Sequence, residues 1–129
     1  MLMLSFSCKK KDEDYVPGVY VDMYMYASSP SFVDLNAVGG WLYANGGVRG
    51  IIVYRKSNTE FMAYDRDCTY QPSNSCAKVD VDSTNIIMKD PCCSSEFIIT
   101  DGTVLKSPAV LPLKQYQTSF DGNTLHIFN

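Results

Sequence analysis

The chain has 129 residues, of which 46% are hydrophobic, and this is enough for one domain built around one core. It carries 11 Lys and Arg residues against 14 Asp and Glu residues, for a net charge of -3. The surface therefore has no excess of positive charge for binding phosphate backbones, which excludes nucleic acid as a partner. No stretch reaches the roughly 20 apolar residues that a membrane-spanning helix needs.

The N-terminus has the order of an export signal. A short apolar segment, 1–7, precedes Cys8, and a charged run, KKKDED, follows it. This order resembles a bacterial lipoprotein signal, in which the cysteine is acylated and becomes the first mature residue. We expect a lipidated Cys8 with a charged tether over 8–16 and a domain over 17–129, anchored to the membrane through the lipid only, at the periplasmic or outer surface of the cell envelope. The alternative is a frayed N-terminus with a chance cysteine.

The remainder of the chain has the pattern of an all-β protein. Short runs rich in Val, Ile, Tyr and Phe alternate with Gly, Pro and Asn turn residues, which favours strands joined by hairpins. The segment 32–38 is the one candidate for a helical turn. The runs predict strands at 19–26, 41–43, 50–55, 61–64, 77–81, 85–88, 97–100, 115–120 and 124–128.

Two loops, 68–76 and 90–96, carry four of the five cysteines. The first begins Cys-Thr-Tyr-Gln-Pro and the second reads Asp-Pro-Cys-Cys-Ser-Ser-Glu-Phe. They resemble the two cluster-binding loops of Rieske [2Fe-2S] domains, whose patterns are Cys-x-His and Cys-Pro-x-His-Gly-Ser-x-Phe. Further family motifs follow in order: Asp101-Gly102-Thr103-Val104, Ser107-Pro108-Ala109, and Pro112-Leu113 with Tyr116.

The resemblance implies antiparallel sheets that form a partly open barrel, with two loops at one end. It places the four ligand positions on Cys68, Tyr70, Asp90 and Cys93. A Rieske cluster needs two Cys thiolates and two His imidazoles, and the only histidine, His126, lies in the last predicted strand. Tyr and Asp are hard oxygen donors that suit an iron-sulfur core poorly. We therefore expect a degenerate site with no cofactor and no metal.

Respiratory Rieske domains also join their two loops by a disulfide. The resemblance places Cys76 and Cys92 where they could form it, and Cys68 and Cys93 could form a second disulfide in place of the cluster. Two other arrangements stay open: Cys68 to Cys92 with Cys76 to Cys93, and a strained vicinal Cys92 to Cys93 bond. Ser95, which in the family hydrogen-bonds toward cluster sulfur, is expected here to cap a turn.

Three other uses of these side chains compete with a disulfide-filled site. A [2Fe-2S] cluster on the atypical ligands Cys68, Asp90, Cys92 and Cys93 would make the protein an electron carrier. Zinc is disfavoured because adjacent cysteines aim poorly at one metal. A reactive Cys92–Cys93 dithiol is disfavoured because Lys89 is the only cation nearby in sequence.

A single histidine cannot complete a Ser-His-Asp or Cys-His arrangement in either loop, which disfavours a hydrolase. Four acidic residues are expected at solvated strand edges rather than in a calcium site: Asp65, Asp67, Asp80 and Asp82. The sequence thus predicts a non-enzymatic, lipid-tethered Rieske-like domain with a structural or interaction role and a protein partner that the sequence does not identify. Electron transfer through a [2Fe-2S] cluster is the competing function.

Overall fold

A computed structural model describes residues 14–129, and nearly all of its regular structure is β-strand. Cys8 and the signal-like segment lie outside the described residues. One 3-10 helix, Pro30–Leu35, replaces the predicted helical turn, and no helix in the described part of the chain is long and apolar enough to cross a membrane. The strands are β1 (Asp22–Tyr26), β2 (Trp41–Ala44), β3 (Ile51–Arg55), β4 (Phe61–Asp65), β5 (Asp80–Val81), β6 (Ile87–Lys89), β7 (Glu96–Ile98), β8 (Val104–Lys106), β9 (Gln115–Phe120) and β10 (Thr124–Phe128).

The strands form two antiparallel sheets. The larger has six strands in the order β1-β10-β9-β4-β3-β2 and curls into a half-barrel, and the smaller has four in the order β5-β6-β7-β8. The first loop connects β4 to β5, and the second connects β6 to β7. The predicted all-β class, with antiparallel sheets and a partly open barrel, is confirmed.

One strand was not predicted. β8 pairs with β7 across a register shift at Glu96 and Phe97. Leu105 and Lys106 are both exposed, so β8 lacks the alternation of apolar and polar residues that marks a half-buried strand. β8 joins the sheet through backbone hydrogen bonds to β7, and the pattern of side chains does not predict such bonds.

β3 separates two hydrophobic clusters. Successive side chains on a strand point to opposite faces, and all of the first four residues of β3 are buried. Ile51 and Val53 face a cluster that also contains Leu125, whereas Ile52 and Tyr54 face the cluster that lies under the two loops. This second cluster is continuous with the site, and its buried members are Ile52, Tyr54, Tyr64, Cys68, Ala77, Val79, Met88, Phe97, Ile99, Ala109 and Leu113.

The Asp65 carboxylate is buried at the end of β4, which corrects the expectation that it is a solvated edge residue. It accepts hydrogen bonds from the backbone N–H groups of Val48 (2.6 Å) and Asp67 (2.9 Å) and from the Tyr116 hydroxyl (2.7 Å). Gly47, at φ +63, has no room for a side chain, because a Cβ there would lie 2.4 Å from Asp65 Oδ2. These bonds attach the turn before β3 to the ends of β4 and β9.

Asp67 is also buried, contrary to expectation, and its nearest cation holds the first loop. Arg49 Nε lies 3.1 Å from Asp67 Oδ1, and the Arg49 guanidinium donates to the backbone carbonyls of Pro72, Asn74 and Ser75 at 2.6–3.0 Å. Burial raises the pKa of Asp67 to about 6, although the Arg49 charge opposes the rise. Arg49 therefore joins the first loop to the six-stranded sheet. Of the other two predicted edge acids, Asp80 is exposed and Asp82 is half-buried.

Replacing Arg49 should loosen this loop. Arg49→Met removes three carbonyl partners and leaves the Asp67 carboxylate buried without its counter-charge, so we expect the free energy of unfolding to fall by roughly 3 kcal/mol in urea denaturation. The double variant Arg49→Met with Asp67→Asn should recover part of that loss. Lys106→Met, which removes a positive charge from an exposed side chain, is the matched control and should unfold like the parent. An Arg49→Met protein as stable as the control would contradict this role.

Candidate functional site

Three donor side chains from the two loops meet at one point. One ligand atom from each of Cys68, Asp90 and Cys93 lies within 4.8 Å of the other two. Cys68 begins the first loop, Asp90 directly follows β6, and Cys93 lies in the loop before β7. Cys68 and Asp90 are buried and Cys93 is half-buried, so Cys93 is the most exposed of the three donors. The small region that these three side chains enclose is termed the pocket.

Cys68 is a fully buried member of the hydrophobic cluster under the loops. Its backbone N–H donates to the Ala77 carbonyl at 3.0 Å, which closes the first loop. Burial raises the pKa of the Cys68 thiol well above its usual range, with further increases from the Asp90 hydrogen bond and charge, while a backbone N–H from Tyr70 toward the sulfur lowers it. The free side chain is therefore a protonated thiol at neutral pH and a poor nucleophile.

Asp90 organises the second loop. Its Oδ1 accepts the backbone N–H groups of Cys92 at 2.7 Å and Cys93 at 3.4 Å. Its backbone carbonyl accepts from Ser94 N, and its backbone N–H donates to the Ser95 carbonyl, both at 2.9 Å. An Asp side chain that bonds to backbone N–H groups two and three residues later produces a tight turn. The two adjacent cysteines consequently point in different directions.

The two loops are joined by a disulfide between Cys76 and Cys92, the pairing that the resemblance implied first. Cys68 and Cys93 are free thiols, so the structure corrects the expectation of a second disulfide. The Cys68 sulfur lies within 4.8 Å of an Asp90 carboxylate oxygen, and Cys93 Sγ lies 3.1 Å from the Ser95 hydroxyl. Both sulfurs are thus engaged by polar partners rather than by each other, and the vicinal bond is not formed because Cys92 already pairs with Cys76.

The segment 107–112 forms the third wall of the site. The buried Ser95 hydroxyl accepts the backbone N–H of Ala109 at 2.9 Å, and the Thr69 hydroxyl donates to the Leu111 carbonyl at 2.6 Å. The expectation that Ser95 caps a local turn is therefore wrong, because its hydroxyl bonds to the Cys93 sulfur and to the backbone of Ala109, 14 residues away. No sequence signal marks these contacts, since each partner is a backbone group distant along the chain.

The histidine lies elsewhere. His126 in β10 stacks between the rings of Tyr24 and Phe128, with centroids at 4.2 and 4.3 Å, and contacts Asp22. Tyr70 is half-buried and packs against the hydrophobic cluster under the loops. The structure therefore brings together three of the predicted ligand positions and gives none of them an imidazole neighbour.

This donor set does not fit a Rieske cluster. Such a cluster takes two thiolates on one iron and two imidazoles on the other. The pocket offers two sulfurs and one carboxylate, and the Asp90 Oδ1 atom is already bonded to two backbone N–H groups. The mismatch lies in the kind of donor, since carboxylate oxygen and phenol oxygen are harder ligands than imidazole nitrogen or thiolate sulfur.

Comparisons with known proteins identify the fold. No model of a known protein family matches the sequence, and no curated protein matches it. Among solved structures, the plasma membrane Rieske protein of the cyanobacterium Synechocystis PCC 6803 is similar with a TM-score of 0.60 at 26% identity, covering 81% of this chain and 99% of that one.

Two structures from the carbazole 1,9a-dioxygenase system are similar at lower identity. The ferredoxin from Nocardioides aromaticivorans IC177 has a TM-score of 0.53 at 16% identity, covering 86% of this chain and 98% of that one. A chain of the complex of reduced oxygenase and oxidized ferredoxin has a TM-score of 0.52 at 16% identity, covering 81% of this chain and 92% of that one. Each comparison covers almost the whole length of the known chain.

The disulfide gives this site a redox-dependent stability. Because it closes a loop with a sequence separation of 16, Cys76→Ser should lower the free energy of unfolding by about 3 kcal/mol under oxidising conditions. Under strong reductant the variant and the parent should unfold alike. Cys93→Ser, which changes a free thiol and keeps the disulfide, is the matched control and should lose stability in reductant as the parent does. Thermal unfolding with and without reductant measures both, and a Cys76→Ser protein that melts with the parent in both conditions would contradict the crosslink.

Proposed function

We propose that this chain, a Rieske-like domain with a degenerate ligand set, is an exported, lipid-anchored and non-enzymatic protein with a structural or interaction role in the cell envelope. The observation that carries the proposal is the identity of the side chains at the ligand positions: Cys68, Tyr70, Asp90 and Cys93. The fold is that of an electron carrier, but the imidazole donors are missing.

Two features of the pocket support a role without catalysis. The thiol with the most buried position, Cys68, has its pKa raised by that burial, which keeps it protonated and weakly nucleophilic. No histidine lies beside these thiols to act as a general base. The chain has one histidine, and His126 stacks between aromatic rings in β10. The remaining contacts at the site join loops to one another, which is a structural task.

Residues 14–17 contact the first loop and the start of β9. The Asp14 carboxylate accepts hydrogen bonds from the backbone N–H (3.0 Å) and the hydroxyl (2.6 Å) of Ser73, and Lys114 Nζ donates to the Pro17 carbonyl at 3.1 Å. An extended chain spans at most about 3.5 Å per residue, so a lipidated Cys8 would lie within roughly 20 Å of Asp14. In this proposal the tether therefore joins the domain beside the first loop.

Exposed apolar side chains near the tether support an interaction role. Tyr15 and Leu111 line a shallow hollow beside the first loop, and they are 60% and 52% exposed. Val110, in the wall next to the pocket, is 85% exposed. Apolar groups exposed together commonly mark an interaction surface, and here the surface would lie beside the tether. The similarity to a plasma membrane Rieske protein is compatible with a cell-envelope location.

Electron transfer through an atypical cluster is the second candidate function, and the convergence of Cys68, Asp90 and Cys93 is the observation in its favour. Visible absorption, iron analysis and EPR of protein purified anaerobically from iron-replete cells separate the two. The proposed role predicts a colourless protein without iron in stoichiometric amount and without a signal after reduction. A brown protein with a reduced-state EPR signal would show that the domain carries electrons.

The anchor has its own test. In a bacterial host supplied with labelled fatty acid, the full chain should take up label and sediment with membranes, whereas Cys8→Ser should lose both properties. Cys93→Ser, which alters a cysteine inside the folded domain, is the control and should keep label and membrane association. A parent chain that stays unlabelled, or a Cys8→Ser chain that still sediments with membranes, would contradict lipid anchoring.

A further inference from the structure

The pocket between the loops retains a donor set that is wrong for two irons but suited to one ion. We propose that Cys68, Asp90 and Cys93 bind a single thiophilic divalent cation, represented by Zn²⁺, in the place where a Rieske domain holds its cluster. The inference rests on the proposed absence of an iron-sulfur cluster, and it assigns that site a ligand.

The spacing of the donors is close to what one tetrahedral ion requires. With zinc–sulfur and zinc–oxygen bonds of about 2.3 and 2.0 Å, the donor atoms around one zinc ion lie roughly 3.3–3.8 Å apart. The three donors here lie within 4.8 Å of one another, so shifts of about 1 Å bring them onto a single ion. Cys93 lies on a loop and is half-buried, which gives the pocket room for this adjustment.

The crosslink removes the main objection to a metal at adjacent cysteines. Cys92 is exposed and bonded to Cys76, so Cys93 is the one member of the pair that points into the pocket. Asp90 enforces this separation, because its Oδ1 binds the backbone N–H groups of both cysteines. A carboxylate oxygen of Asp90 lies within 4.8 Å of both sulfurs, as a shared ion would require.

The groups around the donors resemble the outer shell of a metal site. The Ser95 hydroxyl lies 3.1 Å from Cys93 Sγ. Ser95 is itself fixed by the Ala109 backbone N–H. Outer partners of this kind orient ligands and limit the rearrangement that binding demands.

The charge balance also favours a divalent ion. Binding replaces two sulfur–hydrogen bonds by two metal–sulfur bonds and releases two protons to solvent. With Asp90 counted as a carboxylate, the pocket carries a charge of -1 both before and after binding, so no additional buried charge is created. Two soft sulfurs exclude Mg²⁺ and Ca²⁺, which require oxygen ligands. Three protein ligands leave the fourth tetrahedral position open to water or to an external donor.

The experiment uses Co²⁺ as a spectroscopic probe on the full chain with its disulfide intact, under anaerobic conditions without reductant. One Co²⁺ per chain should produce thiolate-to-cobalt charge-transfer and visible bands, and Zn²⁺ should abolish them by displacement. Cys68→Ser and Cys93→Ser should each weaken the charge-transfer band and lower affinity by about tenfold or more, as should Asp90→Asn, which preserves the Oδ1 acceptor for the loop. Asp101→Asn, an exposed residue in a different turn, is the matched control and should bind like the parent.

The outcomes are distinct. No cobalt bands in a folded, colourless parent would overturn the metal proposal while leaving the proposed function intact. Equal binding by the parent and the Asp90→Asn and Cys68→Ser variants would overturn it as well, since the ion would then lie elsewhere. Anaerobic incubation with iron and sulfide that yields a stable brown protein would overturn the proposed function and this inference together. Circular dichroism of each variant separates lost binding from lost folding.

Discussion

The Asp90 carboxylate determines how the two loops meet. By accepting the backbone N–H groups of Cys92 and Cys93, it turns two neighbouring cysteines to opposite sides of the second loop. Cys92 consequently reaches outward to Cys76 in the first loop, and Cys93 joins Cys68 inside the pocket. In the position where the family resemblance expects a cluster thiolate, this chain has a side chain that organises a turn. The carboxylate of Asp90 thus organises the turn and, for the same reason, cannot serve as the thiolate ligand of a cluster.

The rest of the fold holds these loops against the sheets. β3 is buried on both faces, so the half-barrel has one cluster under β10 and another under the site. Two buried acidic side chains support the first loop. Asp65 binds the turn before β3. Asp67 pairs with Arg49, whose guanidinium binds three carbonyls of the loop. A Rieske-like domain can therefore keep its loop geometry after the imidazole ligands are gone, because the loops are supported by hydrogen bonds and a crosslink rather than by the metal alone.

The sequence predicted those parts of the molecule whose signal is local. β9 and β10 have the predicted bounds because alternation and a turn at Asp121-Gly122-Asn123 define them, and the loop motifs identified the donors that converge. The sequence does not predict β8, because its side chains are largely exposed. The burial of Asp65 and Asp67 is not predicted either, because their partners lie on other strands or are backbone groups. The free state of Cys68 and Cys93 depends on side-chain direction, which spacing along the chain does not encode.

In the proposed function, the pocket of Cys68, Asp90 and Cys93 holds no two-iron cluster of the Rieske kind. Anomalous X-ray diffraction from crystals of anaerobically purified protein, recorded at the iron and zinc absorption edges, tests it most directly. We expect no iron peak between the loops and, after zinc is supplied, one zinc peak bonded to the three side chains. Two iron peaks in the pocket, bridged by sulfide, would contradict it.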